Sequence, residues 1–299
     1  MEFHFLSLSD RDELNTAFKR DGRRMCESSF ALNYLWRDVY RADLARYGNF
    51  FVFRYSHEPF GECYSFPFGD RGNDAALKDL IGLLEEDAKS RNNPLIISPM
   101  LKEDTEKLDA LFPGKFNYTA DRDMADYLYS REKLATLSGR KLHSKRNHIA
   151  RFTEDGDWNY EEINESNLCE CLALENTWLD RKGHKYNDAV IEETSAVSYA
   201  LNRLDKLGLT GGLLRKAGRV VAFAIGEPLT NDTYVIHIEK ALAEVQGSYA
   251  TINKEFVLRN CEGFTYVNRE DDAGDEGLRR AKLSYYPEII LEKYTAQSL

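Results

Sequence analysis

The sequence predicts a mixed α/β fold built from two similar halves. A chain of 299 residues exceeds what one hydrophobic core usually serves, so two domains are expected. Strand-like segments occur both as hairpins and across intervening helices, which indicates mixed sheets flanked by helices. The same order of helices and strands recurs in each half, which suggests a duplicated α/β unit. With 42% hydrophobic and 30% charged residues, the composition is typical of a globular protein.

The first domain is predicted over residues 1–136. Apolar residues at helical spacing predict helices in RDELNTAFKR, SFALNYLWRDVYRADLARY, NDAALKDLIGLLEEDAKSRNNP and EDTEKLDALFP. Alternating or continuous apolar and aromatic runs predict strands in NFFVFRY, ECYSFPFG, LIISPM and ADYLYS.

The second domain is predicted over residues 154–299. Helices are expected at about 165–181, 189–207 and 249–260, and a further helix in EGLRRAKLSYY. The expected strands are TGGLLRK, RVVAFAIGEPL, NDTYVIHIEKA, GFTYVN and EIILEKY. Because the two halves resemble each other, we expect them to pack together with a ligand-binding cleft between them.

Composition excludes several classes of protein. A formal net charge of -10 argues against a general nucleic-acid-coating protein but leaves room for a local basic site. No apolar run of about 18 residues exists and the N-terminus does not resemble a signal peptide, so a cytoplasmic protein is expected. The five cysteines lack C-x-x-C spacing, and no histidine has metal-ligand spacing. We therefore expect reduced thiols and no metal site.

The segment LSGRKLHSKRNHIARF, in the connecting stretch 137–153, gathers basic residues at the middle of an acidic chain. As a helix capped by Ser138, it places Lys145 on the apolar stripe of Leu142 and Ile149. This lysine either covers apolar surface while its ammonium reaches water, or points into a cleft beside a polyanion. A basic helix that merely connects domains is the third interpretation. The polar residues that accompany Lys145 as candidate phosphate contacts are Arg140, Lys141, His143, Arg146 and Asn147.

The segment NREDDAGDEGLRRAKLSYYP contains a second lysine in an apolar setting. On a helix, Lys282 shares a face with Leu278, Ala281 and Tyr285, so it is expected on the buried side, where it either reaches water or neutralises a buried negative charge. The acids before it do not follow the spacing of a calcium loop, so calcium is not expected. They either cap the helix or contribute to a site. The candidates in this segment are Asn268, Arg269, Asp271, Asp275 and Arg279.

The strand TYVIHIEKA places two titratable side chains, His237 and Glu239, on one face, because side chains alternate along a strand. Ile236 and Ile238 are expected on the opposite face. The pair is either a general base with its orienting partner or a hydrogen-bonded structural pair.

The hairpin strands, the long strand and the following EVQGSYATINKEF resemble the core of the GNAT acyltransferase fold. In that fold a Q/R-x-x-G-x-G/A loop before a helix holds the pyrophosphate of coenzyme A through backbone N–H groups. The corresponding residues here depart from the pattern, with Tyr249 and Thr251 where glycines belong. They are Gln246, Gly247, Ser248, Tyr249, Ala250 and Thr251.

The run GLRRAKLSYYP is similar to the G-L-R-x-x-K-x-x-F-x-P run of the phosphatidylglycerol lysyltransferase catalytic domain, and a shorter form recurs in Fem-type aminoacyltransferases. The resemblance implies two tandem GNAT-like domains, each a mixed sheet flanked by helices, with aminoacyl-tRNA as donor. The chain resembles the soluble, uncharacterised bacterial branch of this group. The lysyltransferases carry a membrane-spanning N-terminal part that is not expected here, so a lipid acceptor is one option and a small molecule another.

The leading hypothesis is transfer of an aminoacyl group from aminoacyl-tRNA to an amine or hydroxyl acceptor. In it Lys282 and Arg279 bind phosphate or developing negative charge, and the basic helix contacts the tRNA backbone. The acids that would accept a proton or bind the aminoacyl ammonium are Glu239, Asp271 and Asp275. The alternatives are CoA-dependent N-acylation through the loop at Gln246, and a catalytically silent module that binds tRNA or another phosphorylated ligand. The oligomeric state does not follow from the sequence.

Overall fold

The computed structural model describes residues 1–57, 61–182 and 188–299, in two compact units. Unit 1 comprises residues 1–126, 271–280 and 290–299, and unit 2 comprises residues 127–270 and 281–289. The units are therefore discontinuous in sequence, whereas the sequence analysis divides the chain at single points. The physical reason is that the last strand of the chain pairs with a strand of unit 1.

The regular elements are numbered in chain order. The strands are β1 His4–Phe5, β2 Asp43–Tyr47, β3 Phe50–His57, β4 Gly61–Tyr64, β5 Ile96–Met100, β6 Phe116–Ser130, β7 Trp158–Glu162, β8 Thr210–Lys216, β9 Arg219–Pro228, β10 Thr233–Ala241, β11 Tyr266–Asn268 and β12 Ile289–Ser298. The helices are α1 Arg11–Asp21, α2 Phe30–Leu35, α3 Arg37–Tyr40, α4 Asp74–Ser90, α5 Lys102–Leu111, α6 Arg131–Thr136, α7 His143–Thr153, α8 Leu168–Lys182, α9 Asp188–Leu201, α10 Leu204–Leu207, α11 Ser248–Asn260 and α12 Glu276–Leu283. Short 3-10 turns cover Leu8–Asp10 and Cys26–Ser28.

Unit 1 has a mixed sheet in the order β1-β2-β3-β4-β5-β12. Its strands pair antiparallel except for β4 and β5, which pair in parallel. The amphipathic helix α4 buries Leu77, Leu80, Ile81 and Leu84 in the same core as residues of β3 and β5. Burial of such large aliphatic side chains supplies the main stabilising free energy of this unit.

The strands of unit 2 are also mixed in direction, and residues 127–130 of β6 are followed by β11, β10, β9, β8 and β7. β10 and β11 pair in parallel, while the other pairs are antiparallel. Helix α11 packs on β8, β9 and β10, and α6 and α7 pack on α11. The apolar residues Ile252, Phe256 and Val257 of α11 are fully buried, which fixes this helix on the sheet.

Several predicted helices differ from the observed ones. The helix predicted in SFALNYLWRDVYRADLARY is observed only as α2 and α3, and its last residues form β2, because Asp43–Tyr47 pair with β3. The predicted helix 189–207 is interrupted, since α9 ends at Leu201 and α10 begins at Leu204. The basic helix begins at His143, not at a cap on Ser138. Gly139 adopts φ 88°, a left-handed conformation that a helix does not continue through.

None of the described helices is long and apolar enough to cross a membrane.

Candidate functional site

The pairing between β10 and β11 ends at the point where charged residues begin. The two strands pair in parallel only from Thr233 with Tyr266 to Val235 with Asn268. Beyond that point β10 continues while β11 stops, and the register of β10 against β9 shifts between residues 236 and 238. Ligands of open α/β sheets bind outside the carboxyl ends of the strands. The end of this parallel pair is therefore the natural place for a site in unit 2.

A hydrogen-bonded group centred on Glu239 lies at this position. Arg269 Nη2 lies 2.9 Å from Glu239 Oε1, and Asn253 Nδ2 donates to Glu239 Oε2 at 2.8 Å. Burial opposes the charge on Arg269, but the neighbouring Glu239 carboxylate raises the pKa of Arg269. Arg269 Nη1 and Asn253 Oδ1 are buried and have no hydrogen-bond partner in the described part of the chain. One donor and one acceptor thus remain available beside a fixed carboxylate.

Lys145 joins this group through an aromatic ring. Its ammonium lies 4.0 Å from the centre of the Tyr285 ring, and the guanidinium of Arg269 lies 4.8 Å from the same ring. Among the described residues, no carboxylate oxygen lies within 4.0 Å of Lys145 Nζ. Burial lowers the pKa of Lys145, and the cation of Arg269 lowers it further against an opposing effect of Glu239. A partly buried ammonium group without a nearby carboxylate is well suited to bind an anionic ligand.

Lys282 completes the group from the opposite segment. It is buried, as predicted, and its ammonium donates to the backbone carbonyl of Arg269 at 2.6 Å. Its own carbonyl accepts a hydrogen bond of 2.9 Å from the hydroxyl of Tyr129. We call Lys145, Arg269, Lys282 and Tyr285 the cation cluster. Lys282 thus contacts the backbone of Arg269, while Lys145 and the guanidinium of Arg269 lie near the same ring; a common anion site for the two lysines stays a prediction.

The predicted buried face of Leu278, Ala281, Lys282 and Tyr285 is only partly observed. Leu278 and Ala281 are exposed, and α12 ends at Leu283, before Tyr285. Tyr285 reaches the cluster because the chain reverses beyond the helix, where Tyr286 adopts a φ of 56°.

His237 has a different environment from the one a general base needs. Its Nδ1 lies 2.7 Å from Glu270 Oε1 and its Nε2 lies 3.1 Å from Glu227 Oε1. Although burial opposes the charged form, the hydrogen bonds to the two carboxylates raise the pKa of His237 to about 9. An imidazolium held on both sides has no free nitrogen at neutral pH, so this geometry favours the structural interpretation. Glu239 serves Arg269 and Asn253 instead.

The acidic loop is occupied by local contacts of unit 1. Asp275 Oδ1 accepts from the backbone N–H of Leu278 at 2.7 Å and so caps α12. The guanidinium of Arg279 pairs with Asp272 and Asp123 at 2.6 Å each. In unit 2, Asn268 Oδ1 accepts from the backbone N–H of Glu270 at 2.7 Å. These contacts favour the capping interpretation of the loop, and they commit Arg279 to carboxylates.

The remaining acid, Asp271, accepts a hydrogen bond of 3.0 Å from the backbone N–H of Ala273. This is a local turn contact, and Asp271 does not belong to the cation cluster, whose residues lie in unit 2.

The other basic residues of the connecting segment divide into two groups. Arg146 donates through Nη1 to the carbonyls of Leu137 and Gly139, so it caps the turn before α7. Lys141 lies over the ring of Tyr286 at 5.0 Å. The side chains that remain exposed at the start of this segment are those of Arg140, Lys141, His143 and Asn147. Only Lys145 of this segment belongs to the cation cluster.

Residues 246–251, which correspond to the coenzyme A loop of the GNAT fold, lead into α11, and Gly247 is tightly packed. Gly247 adopts φ 87°, and a Cβ built there would lie 2.2 Å from the carbonyl oxygen of His148. The hydroxyl of Ser248 donates to the carbonyl of Leu242 at 3.0 Å. The backbone of α7 thus packs closely against Gly247 at the start of α11. Of the other loop residues, Gln246 and Tyr249 are exposed and Ala250 is buried.

Asn253 and Tyr129 contact residues of this site but are not among the candidates predicted from the sequence. The signals in the sequence were weak: Asn253 is one of several polar residues of the helix SYATINKEFVLRN, and Tyr129 is one of the alternating residues of ADYLYS. Neither pattern indicates which residues they meet, because Glu239 and Lys282 are distant from them in sequence.

The fold of the molecule is that of GNAT-like proteins. The C-terminal domain of an Agrobacterium fabrum protein assigned as a lysylphosphatidylglycerol synthetase matches with a TM-score of 0.66 and 17% identity, over 97% of this chain and 92% of that one. A tandem GNAT protein from the clavulanic acid biosynthesis pathway matches with a TM-score of 0.52 and 9% identity, over 99% of this chain and 98% of that one. The predicted fold class is confirmed.

The sequence profile of the phosphatidylglycerol lysyltransferase C-terminal family matches residues 18–297. The chain therefore belongs to this family, as its GLRRAKLSYYP run predicts. A conserved protein of unknown function from Bacteroides thetaiotaomicron is 38% identical, with a TM-score of 0.94 and coverage of 100% of both chains. An uncharacterised curated protein from Mycoplasmoides gallisepticum is 27% identical over 176 residues, which span 56% of this chain and 54% of that protein.

Proposed function

We propose that this protein transfers an aminoacyl group from aminoacyl-tRNA to an amine or hydroxyl acceptor, and that the cation cluster is the place where negative charge is bound. The observation that carries the proposal is that Lys145 and Arg269 both lie close to the ring of Tyr285, with Glu239 as the carboxylate bonded to Arg269. Membership of the lysyltransferase family supports the same reaction class.

The chemistry demands little beyond positioning and charge stabilisation. The ester of an aminoacyl-tRNA is already activated, so attack by an acceptor needs alignment and stabilisation of the tetrahedral oxyanion. Lys145 Nζ and the buried Nη1 of Arg269 are the donors suited to that oxyanion. Glu239 holds Arg269 in place and is itself held by Asn253, whose acceptor oxygen is suited to an ammonium group on the donor.

The exposed basic residues of the connecting segment suit the tRNA backbone. Phosphate contacts of this type bind without reading sequence and weaken as salt rises. Arg140 and Lys141 are exposed and carry this part of the proposal, whereas Arg146 is used in capping the turn.

The decisive experiment measures transfer from radiolabelled aminoacyl-tRNA. Purified protein is incubated with lysyl-tRNA and then with a mixture of charged tRNAs, and the acceptors offered are phosphatidylglycerol vesicles and small amines. We expect labelled product or accelerated deacylation with the wild type, and a large loss with Lys145→Met. Lys102→Met is the matched control, because Lys102 is 75% exposed and lies in unit 1.

Coenzyme A provides the test of the alternative enzyme. The close packing of Gly247 against His148 argues against a pyrophosphate at the start of α11. Acetyl-CoA is therefore expected to leave the melting temperature unchanged. A saturable rise with acetyl-CoA, combined with no transfer or release from any charged tRNA, contradicts the proposal and favours N-acylation.

A further inference from the structure

A second group of buried charges lies in unit 1. Lys293, on β12, is fully buried, and its ammonium donates to Asp126 Oδ1 at 2.8 Å, to Glu27 Oε1 at 2.7 Å and to Cys26 Sγ at 3.4 Å. The Cys26 thiol also donates to Asp126 Oδ1 at 3.3 Å. We call these four residues the Lys293 cluster. Its contacts place a primary amine and a thiol side by side, away from water.

The three acceptor atoms could also be viewed as metal ligands, since Cys26, Glu27 and Asp126 offer atoms within 4.8 Å of one another. The ammonium of Lys293 already donates to an atom of each of the three. A lysine in that position supplies the positive charge that a metal would otherwise bring. The unusual feature is therefore the contact between nitrogen and sulfur.

The surroundings provide a place for the proton that such an amine must lose before it reacts. Burial raises the pKa of Glu27 to about 7, against the opposing effect of Lys293 and with a further contribution from Asp126. Glu27 Oε2 is buried without a hydrogen-bond partner in the described residues, so a carboxyl proton there displaces no bond. A cavity of about 20 Å³, lined in part by Met25, Glu27 and Ser28, provides space beside the cluster for a water-sized molecule.

We propose that Cys26 Sγ and Lys293 Nζ become covalently linked when the protein meets a peroxide. In the first step the thiol is oxidised by hydrogen peroxide to the sulfenic acid, and one water is released. The Lys293 ammonium passes a proton to Glu27, and the neutral amine attacks the sulfur. An S–N bond forms, the S–O bond breaks, and the hydroxyl leaves as a second water. Sulfur is oxidised by two electrons and the peroxide is reduced to water.

The link would join two distant parts of the chain. Cys26 and Lys293 are 267 residues apart, one in the turn Cys26–Ser28 and the other on β12. A cross-link over so long a loop restricts the unfolded chain strongly, so the oxidised protein should unfold at a higher temperature. A reductant should reverse both the link and the stabilisation, because S–N bonds of this kind are cleaved by thiols.

The test is peptide mapping of the folded protein after exposure to hydrogen peroxide. We expect a linked pair of peptides containing residues 26 and 293, lighter than their sum by two hydrogens, that is lost on reduction. A linked pair that retains one oxygen also supports the cross-link and shows that the bridge keeps the oxygen atom. Lys293→Arg keeps the cation but lacks a primary amine, so it should form no link and gain no melting temperature.

Other cysteines of the chain serve as internal controls. Burial raises the pKa of Cys171 and of Cys261 to about 12, so both should be recovered as thiols. Cys169 is exposed and reports that the oxidant reached the protein. The proposal is overturned if Cys169 is oxidised while Cys26 is recovered as a free thiol, or as sulfinic or sulfonic acid without a linked peptide, in protein that remains folded.

Discussion

The cation cluster of unit 2 and the Lys293 cluster of unit 1 show two environments for a lysine that is removed from water partly, as Lys145 is, or fully, as Lys293 is. Lys293 donates to two carboxylates, whereas Lys145 has an aromatic ring and no carboxylate within 4.0 Å in the described residues. Burial opposes both ammonium groups, yet the pKa of Lys293 is raised by Asp126, Cys26 and Glu27 while that of Lys145 is lowered. Removing a lysine paired with buried carboxylates leaves those charges unpaired, whereas removing Lys145 leaves no such carboxylate behind.

The largest expected effect comes from removing the neutralised lysine. Lys293→Met leaves Asp126, which is fully buried, without its cation, so the free energy of unfolding should fall by about 3–5 kcal/mol. Urea unfolding followed by circular dichroism measures the change, with Lys102→Met as control. A loss below about 1 kcal/mol would show that the Lys293 cluster is not a structural ion group.

Removing Lys145 should change the stability little and the transfer rate greatly. Lys145→Met leaves no buried acid behind, so the free energy of unfolding should change by less than about 1 kcal/mol. Aminoacyl transfer should fall by about 10²–10³-fold, the usual effect of deleting one oxyanion donor. Parallel unfolding and rate measurements check both values. Wild-type rates in a stable Lys145→Met protein would end the case for this lysine.

His237 provides a titratable version of the neutralised cation. Its pKa is about 9 in the folded protein, against an ordinary value near 6.5, so its stabilisation is complete below about pH 6.5 and disappears as pH rises through 9. The size of this contribution is about 3 kcal/mol. The free energy of unfolding of the wild type should exceed that of His237→Gln at about pH 6, and the two values should converge towards about pH 10. Parallel curves would contradict the paired-imidazolium assignment.

The smallest expected effect is a shift in the pH at which the transfer rate falls on the alkaline side of the pH–rate profile. Because the pKa of Lys145 is lowered, a reaction that needs its ammonium should weaken at lower pH than an ordinary lysine allows. Lys145→Arg keeps its charge and should retain activity further into alkaline pH. The comparison of two pH–rate profiles decides the matter, since identical alkaline limbs would assign the limb to another group.

Several features follow from local pattern alone. The apolar spacing of α4 and α11 predicts both helices, and the break in pattern at Lys145 and Lys282 marks the two lysines of the cation cluster. The GLRRAKLSYYP run predicts the family. These predictions succeed because each depends on residues that are near one another in sequence, where periodicity has a direct geometric meaning.

The tertiary structure decided the partners. Whether a lysine is neutralised depends on which acids the fold brings to it, and Asp126 and Glu27 are far from Lys293 along the chain. By the same rule His237 and Glu239, two residues apart, have separate partners, and Arg279 is committed to acids. Sequence pattern thus determined the fold class and the anomalous lysines. Long-range packing alone determined their charge balance, because electrostatic energy depends on distance in space and on burial.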